Sequence, residues 1–326
     1  MIQINRDDLP QIALEFDDYL SDYLIDKRSL KKKALLLDKW IKDAKNKGDT
    51  ENLNYASMLE FYKKFRPNIA KINSVRELRK VNAIFFKRFR IEILEWKIAS
   101  SKDKSKKAFG MFSKKMVSLY NGFITSNIIK INNNLGYWLS KRLDIRTCPY
   151  CNRHYTITVV KTKSHTNIRP QFDHFLPKYM YPLTAICFYN LVPCCADCNK
   201  TKLERIIKIH PYEDCFENHN IQFEVNLSNY KIHIKNGCNV SNVSNFALEE
   251  IYTNHSDIAK DIVSKSLAYN SGYYNQLIDQ FSGIGLTQSD IEKMVWGNTL
   301  SINDDLSRPF SKFTRDICKQ LGIKVK

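Results

Sequence analysis

The sequence predicts an α+β chain, mainly helical, with a small centre held by cysteines. Three observations carry that expectation. Apolar residues recur at steps of three and four through much of the first 145 residues and again after about residue 245. Two short strand-like runs, "RPQFDHFLPK" and "FYNLVPCCADCNKTK", lie between those regions. One Cys-x-x-Cys pair precedes the first run and a second sits inside the second run. The 326 residues suffice for about two domains of ordinary size. We expect a basic helical domain over 1–145, the cysteine-bearing module over 146–210 and a mainly helical domain over 211–326.

In chain order, Ile12, Phe16, Tyr19, Leu20 and Leu24 mark a first helix, with Pro10 near its start, where a helix tolerates proline. The stretch "LKKKALLLDKWIKDAKN" reads as a second helix ending near Gly48. Leu78, Val81, Phe85, Phe89 and Trp96 form a further stripe, interleaved with Arg79, Lys80, Lys87, Arg88, Arg90 and Lys97, which leaves a basic side for solvent or phosphate. Residues 100–115 are the most loop-like of this half, and a helix from about Met111 to Leu143 is expected to follow. After residue 210, "YKIHIK" alternates as a strand does, and helices are expected from about Asn245 to Phe281. Ser289 and Glu292 read as a capping box, with Gly297 placed to end that helix.

The net charge of +17 is unevenly spread: +14 over residues 1–147, +6 over 148–210 and −3 over 211–326. The basic excess points to a polyanion partner for the first two parts. No run reaches the ~18 apolar residues of a membrane span, and "MIQINRDDLP" lacks the features of a signal peptide, so we expect a cytoplasmic protein and no membrane partner. In such a compartment nine cysteines do not read as a disulfide framework. Cys148 and Cys151 with Cys195 and Cys198 supply four thiolates, which is how a tetrahedral structural Zn2+ is built. The spacing selects Cys195 over its neighbour Cys194, which reads as a packing residue.

Between and inside these pairs the order is strand, loop, strand, helix, with "ADCNKTKLERIIK" as the helix. The segment resembles the HNH nucleases: Asp173 and His174 stand together on the first strand, Asn190 opens the second, and Asn199 directly follows the last zinc cysteine. The resemblance covers about 60 residues and joins a catalytic pattern to a zinc pattern in one register. It implies a zinc-stabilised ββα-metal module at the centre of the fold.

For the chemistry, the resemblance implies that His174 is the general base that takes a proton from water. Asp173 would hold a divalent cation, Mg2+ or Mn2+, against the scissile phosphate. Asn199 stands where many members have histidine, and its amide oxygen is a suitable donor to a hard cation. Asn190 is expected to tie the loop and orient His174. Lys178, Lys200 and Lys202 flank the site as phosphate holders. His154, His165 and His219 read as ordinary residues, and His210 as structural.

The implied function is a metal-dependent endonuclease hydrolysing phosphodiester bonds of DNA, double-stranded by preference with RNA left open, in prokaryotic anti-phage defence. An ABC-type ATPase is the implied protein partner. The rival expectation is a non-catalytic zinc-containing nucleic-acid-binding subunit of a larger complex.

Overall fold

A computed structural model describes residues 1–25, 36–69, 71–128, 133–160, 168–238 and 240–325. The protein is mainly helical, with three two-stranded sheets among the described residues. It divides into two compact units. His165 and the first residues of the second expected helix lie outside the described residues.

The helical unit comprises Arg6–Leu143 and Phe172–Val192. Its helices are α1 (Leu9–Tyr23), α2 (Leu36–Lys47), α3 (Thr50–Ile69), α4 (Val75–Arg88), α5 (Arg90–Ile98) and α6 (Ala108–Thr125). Strands β1 (Asn127–Ile128) and β2 (Asn133–Asn134) follow, then α7 (Leu135–Leu143). Apolar spacing explains the packing: Ile12, Phe16, Leu20 and Leu24 are buried together on one side of α1. Leu78, Val81 and Phe85 are buried on α4 while Arg76, Arg79, Lys80, Lys87 and Arg88 are exposed. Ser74 caps α4 by accepting from the Glu77 amide at 3.2 Å. Inside α6, Gly110 lets the Lys104 carbonyl approach so closely that a Cβ would lie 1.8 Å from its oxygen.

The single helix expected from Met111 to Leu143 is instead two helices with a short antiparallel strand pair between them. The Ser126 hydroxyl turns back onto the Phe123 carbonyl at 2.7 Å as α6 ends. Asn127 then pairs with Asn134, whose side chain accepts from the Tyr137 amide at 3.1 Å to start α7. Short polar side chains bonding to local backbone outcompete continuation of the helix.

The cysteine unit comprises Met1–Asn5, Asp144–Gln171 and Pro193–Lys326. The strands β3 (Gln171–His174) and β4 (Leu191–Cys194) form one sheet, and the chain passes between the units within them. Then come α8 (Ala196–Lys202), β5 (Gln222–Val225), β6 (Ile232–Lys235), α9 (Ser241–Asn245), α10 (Leu248–Thr253) and α11 (Ser256–Ala268). The chain closes with α12 (Ser271–Ser282), α13 (Gln288–Trp296) and α14 (Ser311–Gln320). β5 and β6 pair antiparallel, and Ile232 and Ile234 are buried where the alternation places them.

Two sequence expectations for this unit are corrected. The helix read over "ADCNKTKLERIIK" stops at Lys202, where Leu203 turns to φ +48°. Beyond it the chain is irregular, and the Asn242 side-chain oxygen accepts from the Lys208 and Ile209 amides, each at 2.9 Å. The capping box of α13 is Thr287 with Asp290, two residues before the expected pair, and it closes through bonds of 3.1 and 3.2 Å. Glu292 is buried instead and accepts from the Leu300 amide at 2.7 Å. Gly297 does end the helix, at φ +80°.

Candidate metal centre and active-site loop

The first cysteine pair is shaped by a tight turn. The Asn152 amide donates to the Cys148 carbonyl at 2.7 Å, the Cys148 amide donates to the His154 carbonyl at 2.9 Å, and Asn152 takes φ +52°. The Asn152 side chain fixes the turn to the end of the chain. It donates to the Asp305 carbonyl at 2.6 Å and accepts from the Lys312 amide at 3.1 Å. Tyr252 donates its hydroxyl to the Cys151 carbonyl at 2.6 Å, and the Tyr150 ring stacks on Phe246 at 4.8 Å. The second pair opens α8, where the Cys195 sulfur accepts from the Cys198 amide at 3.4 Å. The Cys151 sulfur likewise accepts from the Arg153 amide at 3.4 Å.

These turns bring Cys148, Cys151, Cys195 and Cys198 into one buried cluster, all four sulfurs within 4.8 Å of one another. Cys194 is buried outside it. Burial pushes the Cys148 thiol well up, and hydrogen bonding to Cys148 first, then its other neighbours, raises Cys198. Bonds from the Cys148 thiol pull Cys151 and Cys195 down. The opposed directions have one cause: four buried sulfurs cannot all become anions unless a cation sits among them. Four buried sulfur donors at this spacing fit a metal such as zinc. Arg153 and His154, just after the first pair, both reach the Asp197 carboxylate within the second, at 3.3 and 3.1 Å. Asp197 is 64% exposed, so this brace contributes little energy.

The other sequence-predicted residues fall in both units. In the cysteine unit, Asn199 is half-buried and its amide nitrogen donates to Gln171 at 2.6 Å, which turns Oδ1 away from Gln171. Lys200 is exposed and Lys202 is buried. His210 is buried, with Nδ1 accepting from the Tyr212 amide at 3.2 Å, and His219 contacts Asp214 at 2.7 Å.

Asp173, His174, Lys178 and Asn190 belong to the helical unit, where the chain loops from β3 to β4. Asn190 holds the loop closed. Its Oδ1 accepts from the Leu176 amide at 2.7 Å, while Nδ2 donates to the Leu176 and Thr184 carbonyls, each at 3.1 Å. Asp173 and His174 are both buried. His174 Nε2 lies 2.9 Å from the Ala185 carbonyl oxygen. A carbonyl only accepts, so Nε2 carries the proton of the neutral ring and its basic lone pair is on Nδ1. The Tyr120 ring stands edge-on against this imidazole at 4.4 Å. Lys178 lies over the same tyrosine at 5.2 Å, and burial lowers its pKa.

Sequence reasoning missed three members of this arrangement: Tyr120, the Ala185 carbonyl and Asn82. Asn82 is buried mid-helix and donates to the Leu78 carbonyl at 2.8 Å and to the Thr184 hydroxyl at 3.0 Å. The signal was present, because an asparagine four residues after Leu78 and three before Phe85 lies on the apolar face of α4. Comparison with family models, with curated proteins and with solved structures finds no match.

Among the described residues, no helix is long and apolar enough to cross a membrane.

Proposed function

We propose that the protein is a metal-dependent endonuclease of the HNH type that hydrolyses phosphodiester bonds of DNA. The observation that carries this reading is the His174–Ala185 bond, since it fixes the tautomer in which Nδ1 can take a proton from water. The β3, β4, α8 order and the four-cysteine cluster support it, with zinc as the structural ion.

In this reading a magnesium or manganese ion, when bound, offsets the charge that develops on the phosphate and the leaving oxygen. Asp173 supplies a carboxylate donor to that ion. His174 removes the proton of the attacking water. The Ala185 carbonyl holds its ring in place, and Asn190 holds the neighbouring Thr184 carbonyl. Lys178 and Lys200 offer positive charge to the phosphates.

The test is incubation of the purified chain with supercoiled plasmid in magnesium or manganese. The expected result is nicked or linear product, abolished by a chelator that leaves the zinc in place. Tight, salt-sensitive binding with no cleavage under either ion overturns the enzyme and leaves the zinc-containing binding subunit. The proposed setting is anti-phage defence alongside an ABC-type ATPase. A monodisperse chain that cuts unaided and never co-purifies with an ATPase counts against that setting.

A further inference from the structure

The geometry points to the outer face of α4 as the surface on which the phosphodiester backbone of a nucleic acid duplex is held. This inference rests on the proposed nuclease function and deepens it. At 100° per residue, Arg76, Arg79, Lys80 and Lys87 fall within about a third of the helix circumference. The opposite side carries buried Leu78, Val81, Asn82 and Phe85. All four cations, and Arg88 beside them, are exposed.

Elsewhere in the helical unit, carboxylates take up many of the cations: Lys45 with Glu60, Lys63 with Asp38, Arg66 with Asp17, Lys107 with Glu51 and Arg142 with Asp8. On α4, no cation has a carboxylate partner among the described residues. The one acid of the helix, Glu77, is engaged at its start, accepting from the Asn73 amide at 3.1 Å. A 14-residue helix is about 20 Å long, and a duplex presents about a dozen phosphates over that length. The charge therefore has the right sign, density and reach for a polyphosphate backbone.

A second observation singles out α4 among the basic stretches of the chain. Its inner face is bonded to the loop that carries His174. Asn82 donates to the Thr184 hydroxyl, the Thr184 carbonyl accepts from Asn190, and the next carbonyl, that of Ala185, accepts from His174 Nε2. A backbone held on α4 is thus held by the element that buttresses the general base.

The experiment compares two variants of the full chain carrying the same change in net charge. One is Arg76→Gln/Arg79→Gln/Lys80→Gln/Lys87→Gln. The control is Lys231→Gln/Lys260→Gln/Lys319→Gln/Lys324→Gln, at exposed lysines of the cysteine unit. Binding to a duplex without divalent ions is followed against salt, with circular dichroism and zinc content reporting the fold. We expect the α4 variant to bind roughly tenfold or more weakly, with a salt slope shallower by about 3, while the control stays close to wild type. Equal weakening of both variants, or unchanged binding by the α4 variant, overturns the inference. A wild-type chain that binds no duplex removes the proposed function itself.

Discussion

The four-cysteine centre and the His174 loop are both small, buried and irregular, yet they hold their shape by different means. The cysteine centre is local in origin: each pair is formed by a turn of four residues, and the sulfurs converge on a place suited to one ion. The His174 loop has no such centre. Its shape comes from neutral hydrogen bonds that start 102 residues away in sequence, at Asn82, and pass through Thr184 and Asn190 to the carbonyl that orients the imidazole. A metal-held centre fails all at once when a ligand is lost, whereas a hydrogen-bonded loop loses accuracy bond by bond.

The sharpest way to break this contrast is at the metal. Cys148→Ser, or a strong chelator, is expected to cost more than about 5 kcal/mol and to melt the cysteine unit, since binding energy at a structural zinc is folding energy. Elemental analysis of the wild type should find about one zinc per chain, and thermal melts of the variant should show the loss. A Cys148→Ser protein that keeps its zinc and its melting temperature would remove the metal from the account.

Asn190→Ala should come next, at about 4 kcal/mol, because it leaves the Leu176 amide and two carbonyls without their side-chain partner in a buried place. Zinc content should be unchanged, which separates the loop from the centre. Denaturant melts check the first point and elemental analysis the second.

The turn that carries Cys148 and Cys151 is also tied, through Asn152, to a buried ionic cluster of Glu217, Asp305, Lys312, Arg315 and Asp316. Burial works to raise the Glu217 carboxyl, but Lys312 and Arg315 outweigh it and bring the group down to about 2, from 4.5. The folded chain therefore binds that proton less readily than the unfolded chain. The stabilisation is complete above about pH 4.5 and is lost as pH falls toward 2; its size is about 3 kcal/mol. Asp305, pushed up to about 6 by burial, has the opposite sign: its contribution falls as pH rises between about 4 and 6. Below pH 4 the difference between wild type and Glu217→Gln should isolate Glu217, and melts across pH 2–5 should show the two proteins converging as acid is added.

The smallest stability effect belongs to Asn82→Ala, no more than about 1 kcal/mol, because the Asn82 Oδ1 atom is buried without a hydrogen-bond partner and its loss offsets the lost bond to Thr184. Its effect on cleavage should be larger, a roughly tenfold lower kcat at unchanged KM, as for a residue that positions the base without touching substrate. Steady-state cleavage kinetics distinguish this from a purely structural role, which would leave kcat alone.

The same contrast explains what was legible in the sequence. Cys-x-x-Cys spacing is a local rule, so the four clustered cysteines could be read, and Cys195 chosen over Cys194, from positions alone. The helical stripes of α1 and α4 and the alternation of β6 are local rules too. Competition between local rules was less legible. Thr287 displaced Ser289 as the cap of α13 although both begin an acceptable box, and the Ser126 and Asn134 side chains split a helix that apolar spacing alone would continue. Least legible were long-range hydrogen bonds: nothing near Asn82 announces Thr184, and nothing near Lys208 announces Asn242.

The central claim is that His174 acts as a base on Nδ1 because Ala185 holds its other nitrogen. Plasmid cleavage in magnesium or manganese, run side by side on wild type and His174→Ala at matched zinc content, tests it most directly. The account predicts a rate at least about a hundredfold lower for the variant; equal rates from the two proteins would contradict it.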